Sequence, residues 1–405
     1  MKRFTSVFAL AAGAWRSGLV AAGTALGAAF GAAVVLSACG VGTGGTGGNA
    51  TAYASGPITG FGSVIVGGVR FDDSSATVED GEGARRGRDD LRLGMTVEID
   101  GNDLATDGAT AVASRIRVDS ELLGAVERLD AQGGGFTLLG QAVAVDAGTV
   151  FDERLAGVAG LRVGQALEVY AVFDAAARRY RATRIEPALA GTALHLRGPL
   201  TQIDAAAQTL RIGSQDYSYA GASNLPATLA AGQFVRLRLA LQNGVPLRWR
   251  VLAFGTALQP LADADGMRAE GLISAFTSQA QFSVNGRAVD AGAAVFPSGS
   301  ASLAVGVRVD VRGSLRAGVL RASEVRILND SDLGNRGFEV SGALSAVNSA
   351  SATITVRGVT FSTARSDLRL DNGTAADLVV GRSVEVRGVL SADRRVLEAT
   401  RIRFR

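Results

Sequence analysis

The stretch Val307-Arg308-Val309-Asp310-Val311-Arg312-Gly313 decides the fold. Three valines alternate with three charged residues, so an extended chain places the valines on one face and the charges on the other. The same alternation returns in Val384-Glu385-Val386-Arg387-Gly388, in Val97-Glu98-Ile99-Asp100-Gly101 and in Leu167-Glu168-Val169. Each reads as a strand with one buried face. The charged faces are expected to point outward and pair across neighbouring strands.

These strands belong to a repeat. Each unit opens on a glycine followed by an apolar alternation: Gly56-Pro57-Ile58, Gly124-Ala125-Val126, Gly198-Pro199-Leu200, Gly271-Leu272-Ile273 and Gly342-Ala343-Leu344. Successive opening glycines lie 68, 74, 73 and 71 residues apart. A second landmark, Leu-x-x-Gly or Leu-x-Gly, ends at Gly94, Gly164, Gly232, Gly306 and Gly381, offset by 38, 40, 34, 35 and 39 residues from the first. Two landmarks that keep step through five units mark tandem copies of one structural element. Units one, two, four and five close on Ala-[Ser/Thr]-[Arg/Glu]-[Ile/Val], at Ala113–Ile116, Ala182–Ile185, Ala322–Val325 and Ala399–Ile402. The third departs, with Leu247-Arg248-Trp249-Arg250-Val251 after an Asn243-Gly244 turn.

About five short strands fall in each unit, with a short turn or helix before the second landmark. A sheet that small must curl to bury one face. The expected class is therefore all-β: tandem five-stranded barrels similar to the OB fold, with an SH3-like barrel or a small sandwich as the alternatives. The organisation is a signal segment over 1–38, a lipidated Cys39 with a Gly-rich tether over 39–55, and repeats over 56–119, 120–190, 191–257, 258–330 and 331–405.

Composition removes several classes. Of 405 residues, 47% are hydrophobic and 20% charged, which excludes both a disordered polymer and a multi-span membrane protein. One cysteine excludes an internal disulfide and a cysteine-rich zinc site. The net charge of +3 comes from the leader, since Lys2, Arg3 and Arg16 precede Cys39 and no acidic residue does. Beyond it, 38 basic residues balance 38 acidic ones. A nucleic-acid partner is not expected from that balance, nor from the few aromatic platforms.

The leader has a positive start, an uncharged Ala/Gly/Leu/Val run from Ser17 to Ala38, and the close Leu36-Ser37-Ala38-Cys39. That close resembles the lipobox of bacterial lipoproteins. The resemblance implies cleavage before Cys39 and acylation of its thiol, with two or three chains sufficing for stable anchoring. Gly23, Gly27 and Gly31 repeat the GxxxG spacing of packed membrane helices, so an uncleaved anchor is the alternative. Gly40 stands where an Asp would favour inner-membrane retention. The implied destination is the outer membrane, with the body periplasmic or surface-exposed.

The repeats themselves resemble domain of unknown function 5666, a repeated domain of bacterial secreted lipoproteins. The residues that carry this are Gly56-Pro57-Ile58-Thr59-Gly60-Phe61-Gly62-Ser63-Val64-Ile65-Val66, Leu91-Arg92-Leu93-Gly94-Met95-Thr96-Val97-Glu98-Ile99 and Ala113-Ser114-Arg115-Ile116. The Phe61-Gly62-Ser63 element is complete only in the first unit. The resemblance implies export and small barrels and brings no activity, cofactor or catalytic residue.

Candidate chemistry is sparse. His195 is the only histidine, and no nucleophile elbow accompanies it. Carboxylates cluster at Asp72-Asp73, Glu79-Asp80-Gly81-Glu82 and Asp89-Asp90, near Arg85, Arg86 and Arg88, and solvated turns account for them. Asp263-Ala264-Asp265-Gly266 and Asp330-Ser331-Asp332-Leu333-Gly334 are fragments of a calcium loop that lack the downstream carboxylate. Tyr217 and Tyr219 share a strand face and with Trp249 offer a small stacking surface, or else packing between barrels. No catalytic, cofactor or metal residue is assigned. The function expected is a lipid-anchored, non-enzymatic binding or spacer array, with the membrane as partner through Cys39 and an envelope protein or glycan as ligand. The alternative is an envelope carbohydrate-active or metal-dependent enzyme using carboxylates at a barrel junction.

Overall fold

The computed structural model describes residues 50–405, apart from 131–132, 189–190, 192, 243–247 and 259. The leader, Cys39, the start of the tether and the Asn243-Gly244 turn lie outside the described residues.

Five strands build the barrel of each unit, to which unit one adds Thr77–Asp80 and Arg85–Arg86 and unit five adds Arg369–Asp371. The barrel strands are Ala52–Phe61, Val64–Val66, Val69–Asp72, Thr96–Asn102 and Thr110–Val118 in the first. In the second they are Leu122–Leu129, Gly135–Leu138, Gln141–Phe151, Ala166–Asp174 and Arg179–Pro187. The third has Leu194–Asp204, Thr209–Ile212, Gln215–Ser218, Phe234–Gln242 and Arg248–Gly255. The fourth has Ala264–Ser278, Gln281–Val284, Arg287–Asp290, Arg308–Arg316 and Val319–Ile327. The fifth has Phe338–Asn348, Thr353–Val356, Val359–Ser362, Ser383–Leu390 and Leu397–Phe404.

Within every unit the first strand pairs antiparallel with the second and the fourth, the second with the third, and the fourth with the fifth. The third runs parallel to the fifth and closes the ring. Units four and five repeat the same order. This closed five-stranded order is that of an OB-type barrel. The parallel third–fifth pair separates it from an all-antiparallel SH3-like barrel, and closure separates it from a sandwich with free edges.

The two sequence landmarks are bonded to each other. The amide of Gly94 donates to the carbonyl of Ile58 at 2.8 Å, and the equivalents Gly164–Val126, Gly232–Leu200, Gly306–Ile273 and Gly381–Leu344 span 2.7–2.8 Å. All five of these glycines have φ between +83° and +89°, a region an L side chain enters only at a cost. In each unit the first strand shifts register beside this bond, between Ile58 and Gly60 and at the matching positions, so it can bend and serve two neighbours. The closing Ser/Thr has a related task. The hydroxyls of Ser114, Ser323 and Thr400 donate to the carbonyls of Asp100, Arg312 and Arg387, where the fourth strand bulges.

The barrels are joined by strand pairing. The first strand of unit one runs parallel to that of unit four (Ala52–Ser55 against Gly266–Ala269) and then to that of unit five (Gly60 and Phe61 against Glu339 and Val340). Units two and three meet antiparallel, Leu122 and Leu123 against Leu196 and His195. One apolar core accordingly runs through units one and five, a second through units two and three, and a third fills unit four with Tyr53 from unit one.

One expectation is corrected here. The charged faces of the alternating strands do not all point to solvent. Arg117, Arg236, Glu270, Arg308, Asp310 and Glu385 are buried, because neighbouring barrels cover those faces.

Candidate functional site

Units one to four face one another across a cavity of about 90 Å³. Its charged lining comes from different barrels: Glu98 and Arg117 from unit one, Glu121 from the link into unit two, Arg197 from unit three, and Glu270 and Arg287 from unit four. Arg287 donates to Glu98 through Nε at 3.1 Å and again through Nη2, and Arg117 lies 3.4 Å from the same carboxylate. Glu270 accepts from Arg308 at 3.3 Å and from Arg336 of unit five. Arg236 of unit three pairs with Asp119. Guanidinium forks suit such buried carboxylate pairing better than ammonium groups do. The near-complete use of Arg over Lys is the one sequence signal that could have pointed to these seams.

Three of the cavity's four carboxylates, Glu98, Glu121 and Glu270 beside Asp119, differ in their electrostatics. Burial pushes Glu98 upward, but Arg287 with Arg197 and Arg117 holds its carboxyl below the usual range. Burial likewise opposes Arg336 and Arg308 at Glu270, and the arginines prevail. Among the described residues the Glu121 carboxyl accepts from Arg197 at 3.0 Å and from the Ala171 amide at 2.8 Å. Burial wins there, raising its pKa to about 7. Arg197 is divided between Glu121 and Asp119, and stacks over Phe234 at 5.9 Å.

The residues singled out from sequence fall elsewhere. His195 is buried at the seam of units two and three, its Nε2 2.9 Å from the Ser120 hydroxyl and 3.1 Å from the Ser120 carbonyl. The Ser120 hydroxyl also lies 2.8 Å from Glu168. Burial, with Arg236 nearby, lowers the His195 pKa to about 4. The imidazole is therefore neutral at pH 7, and this serine–histidine contact is closed to solvent.

Tyr217 and Tyr219 are buried, so they form no stacking surface. Tyr217 instead donates to the Leu139 carbonyl of unit two at 2.6 Å, and Tyr180 of unit two donates to the Arg197 carbonyl at 2.8 Å. Tyr217 and Tyr180 thus tie the two barrels together, whereas Tyr219 packs edge-on against Phe254 of its own unit. Trp249 packs half-buried on the same core.

The acidic clusters serve backbone amides. Asp80 accepts from Glu82 and Ala84, Asp72 from Ser74, and Asp90 from Gly87. Asp263 accepts from Ala317, and Asp265 from Thr51 and Arg316. The segment 330–334 is a short helix capped by Asn329, with Asp332 closing the capping box. Among the described residues no three His, Cys, Asp or Glu side chains gather as a metal site.

A family model, domain of unknown function 5666, matches residues 55–117, 124–186, 270–326 and 341–403. The chain belongs to this family. Unit three lies outside the matched ranges, yet its five strands close in the same order as those of the DUF5666 units. Its departure from the closing motif is thus a change of sequence on an unchanged barrel. Among curated proteins none matches. A solved Drosophila structure, Unr CSD456, is similar at 13% identity over 52% of this chain and 97% of that chain, with a TM-score of 0.14. The barrel assignment rests on the strand pairing alone.

Proposed function

We propose that this DUF5666 protein is a lipid-anchored binding protein of the bacterial cell envelope, held to the outer membrane through Cys39, whose barrels present ligand-binding clefts without catalysing a reaction. The observation that carries the binding reading is where open space lies. The central charges are occupied by one another, whereas two clefts of about 870 and 840 Å³ open between units. Such volumes fall in the range of small-molecule sites, about 300–1,000 Å³. The lipobox-like close at Cys39 and the glycine tether support the anchor.

Glu121 favours a second reading, an enzyme using carboxylates at the barrel junction, since a carboxyl that titrates near neutrality suits general acid–base work. Against it, the adjoining cavity of about 90 Å³ is smaller than the roughly 150 Å³ that takes a single benzene ring. A sugar substrate has no room beside Glu121.

In-cell cross-linking of the tagged full-length protein, followed by mass spectrometry, tests the binding reading. An envelope protein or glycan captured by the whole chain, and lost when the barrels are deleted with Cys39 retained, is the expected result. Background capture alone, together with turnover of envelope glycan by the purified chain, would replace it with the enzyme.

A further inference from the structure

The landmark loops dock barrel on barrel, but only in two of the five units. The unit one loop Leu91-Arg92-Leu93-Gly94 sits on unit two. Leu93 is 2% exposed, Arg184 of unit two donates to its carbonyl at 3.0 Å, and a Cβ on Gly94 would stand 3.1 Å from Val150. In unit four, Gly306 is pressed against Ala176 and Asp174 of unit two. The other three loops are open: a Cβ on Gly164, Gly232 or Gly381 would meet nothing within 4 Å. Of these, the unit five loop Leu378-Val379-Val380-Gly381 is the most apolar, and Val379 and Val380 are 54% and 66% exposed.

The seat that receives a loop is repeated as well. In unit two it is an edge where Val150 lies opposite Arg184 and Phe151 opposite Ile185, with Arg184 paired to Asp152. Unit five builds the same edge from Arg369 opposite Arg401 and Leu370 opposite Ile402, with Arg401 paired to Asp371. The difference is cover. The Arg184 side chain is 6% exposed and that of Arg401 39%, beneath an open groove of about 620 Å³ lined by Leu370 and Asp371. In unit one the strand Arg85–Arg86 already lies along the equivalent edge, and in unit four Glu324 replaces the arginine. Unit five therefore holds both a vacant loop and a vacant seat. We propose that the Val379-Val380-Gly381 loop of one copy docks on the Arg369–Arg401 edge of a second copy, repeating between molecules the contact that units one and two make within one. Arg401 would donate to a loop carbonyl as Arg184 does to Leu93. The valines would lie on Leu370 and on the aliphatic stem of Arg369, which stands where Val150 does. Loop and seat are different patches of one unit, so the contact is heterologous and can extend head to tail. It goes beyond the binding-protein reading and needs no ligand, so the two stand or fall separately.

The test places Val380→Cys and Arg369→Cys on two differently tagged full-length copies in the same cells and scores disulfide-linked pairs after mild oxidation. Cys39 is the chain's one cysteine, so wild-type copies control for it. The 380–369 product is expected at least ten-fold above that of Val295→Cys with Arg369→Cys, since Val295 is 60% exposed on unit four, outside this contact. The purified full-length protein in detergent should also gain sedimentation mass with concentration. Val379→Asp/Val380→Asp should return it to the monomer with an unchanged thermal midpoint. A 380–369 product no stronger than the Val295 control would overturn the interface. So would a wild-type chain that stays monomeric at every concentration, or an assembly that survives the double variant.

Discussion

His195 of unit three is clasped by Ser120, the last residue before Glu121 in the link between units one and two. The contact brings His195 up to the link that carries Glu121, so two groups that burial perturbs belong to one seam. Burial moves them in opposite directions, to about 4 for His195 and about 7 for Glu121.

Their effects on stability oppose each other. His195 binds its proton less well folded than unfolded, so its contribution is full above about pH 6.5 and is lost as pH falls toward 4. Glu121 binds its proton better when folded, so its contribution is full below about pH 4.5 and is lost as pH rises toward 7. Each amounts to about 3 kcal/mol at most. Urea unfolding midpoints of His195→Gln should therefore fall between pH 5 and 7, and those of Glu121→Gln should rise. Parallel pH profiles for both variants would refute this account.

The landmark glycines separate backbone strain from crowding. At Gly381 a Cβ would meet nothing within 4 Å, so Gly381→Ala should cost about 1–2 kcal/mol through its φ of +89° alone. At Gly94 the same Cβ would also stand 2.6 Å from the Thr183 carbonyl of unit two. Gly94→Ala should therefore lower the unfolding midpoint further than Gly381→Ala does. Equal losses would mean that the seam between units one and two yields freely.

Gly60 lies opposite Glu339, and a Cβ there would run into the Glu339 carbonyl. Gly62 is likewise pressed against Ser341. The element that only unit one retains is thus where unit five docks. Gly60→Val should raise hydrogen exchange of the 339–341 amides ten-fold or more, while Gly337→Ala, whose Cβ meets nothing within 4 Å, should not. Unchanged protection in Gly60→Val would show that the two barrels hold together without this contact.

Cys39 carries the anchoring proposal. Cys39→Ala should move the protein from the membrane pellet to the soluble fraction after cell fractionation. Continued membrane association would favour an uncleaved helical anchor.

The barrels were legible in sequence because their determinants are local. Alternating valines set the buried face. A glycine at each landmark permits the left-handed turn whose amide returns to the first strand, and in units one, four and five a serine or threonine tends the bulge. The copies reinforce one another, so even the divergent third unit could be placed. What only the tertiary structure decided is where the barrels touch. Glu121, Arg197, Arg287 and Arg308 have the same local pattern as solvent-facing strand charges, and nothing in a period of two distinguishes a face covered by water from one covered by another barrel. Each has a partner on another unit, Glu121 with Arg197, Arg308 with Asp146, and Arg287 with Glu98 across 189 residues. Strand formation depends on neighbours in the chain, whereas burial of a charge depends on neighbours in space.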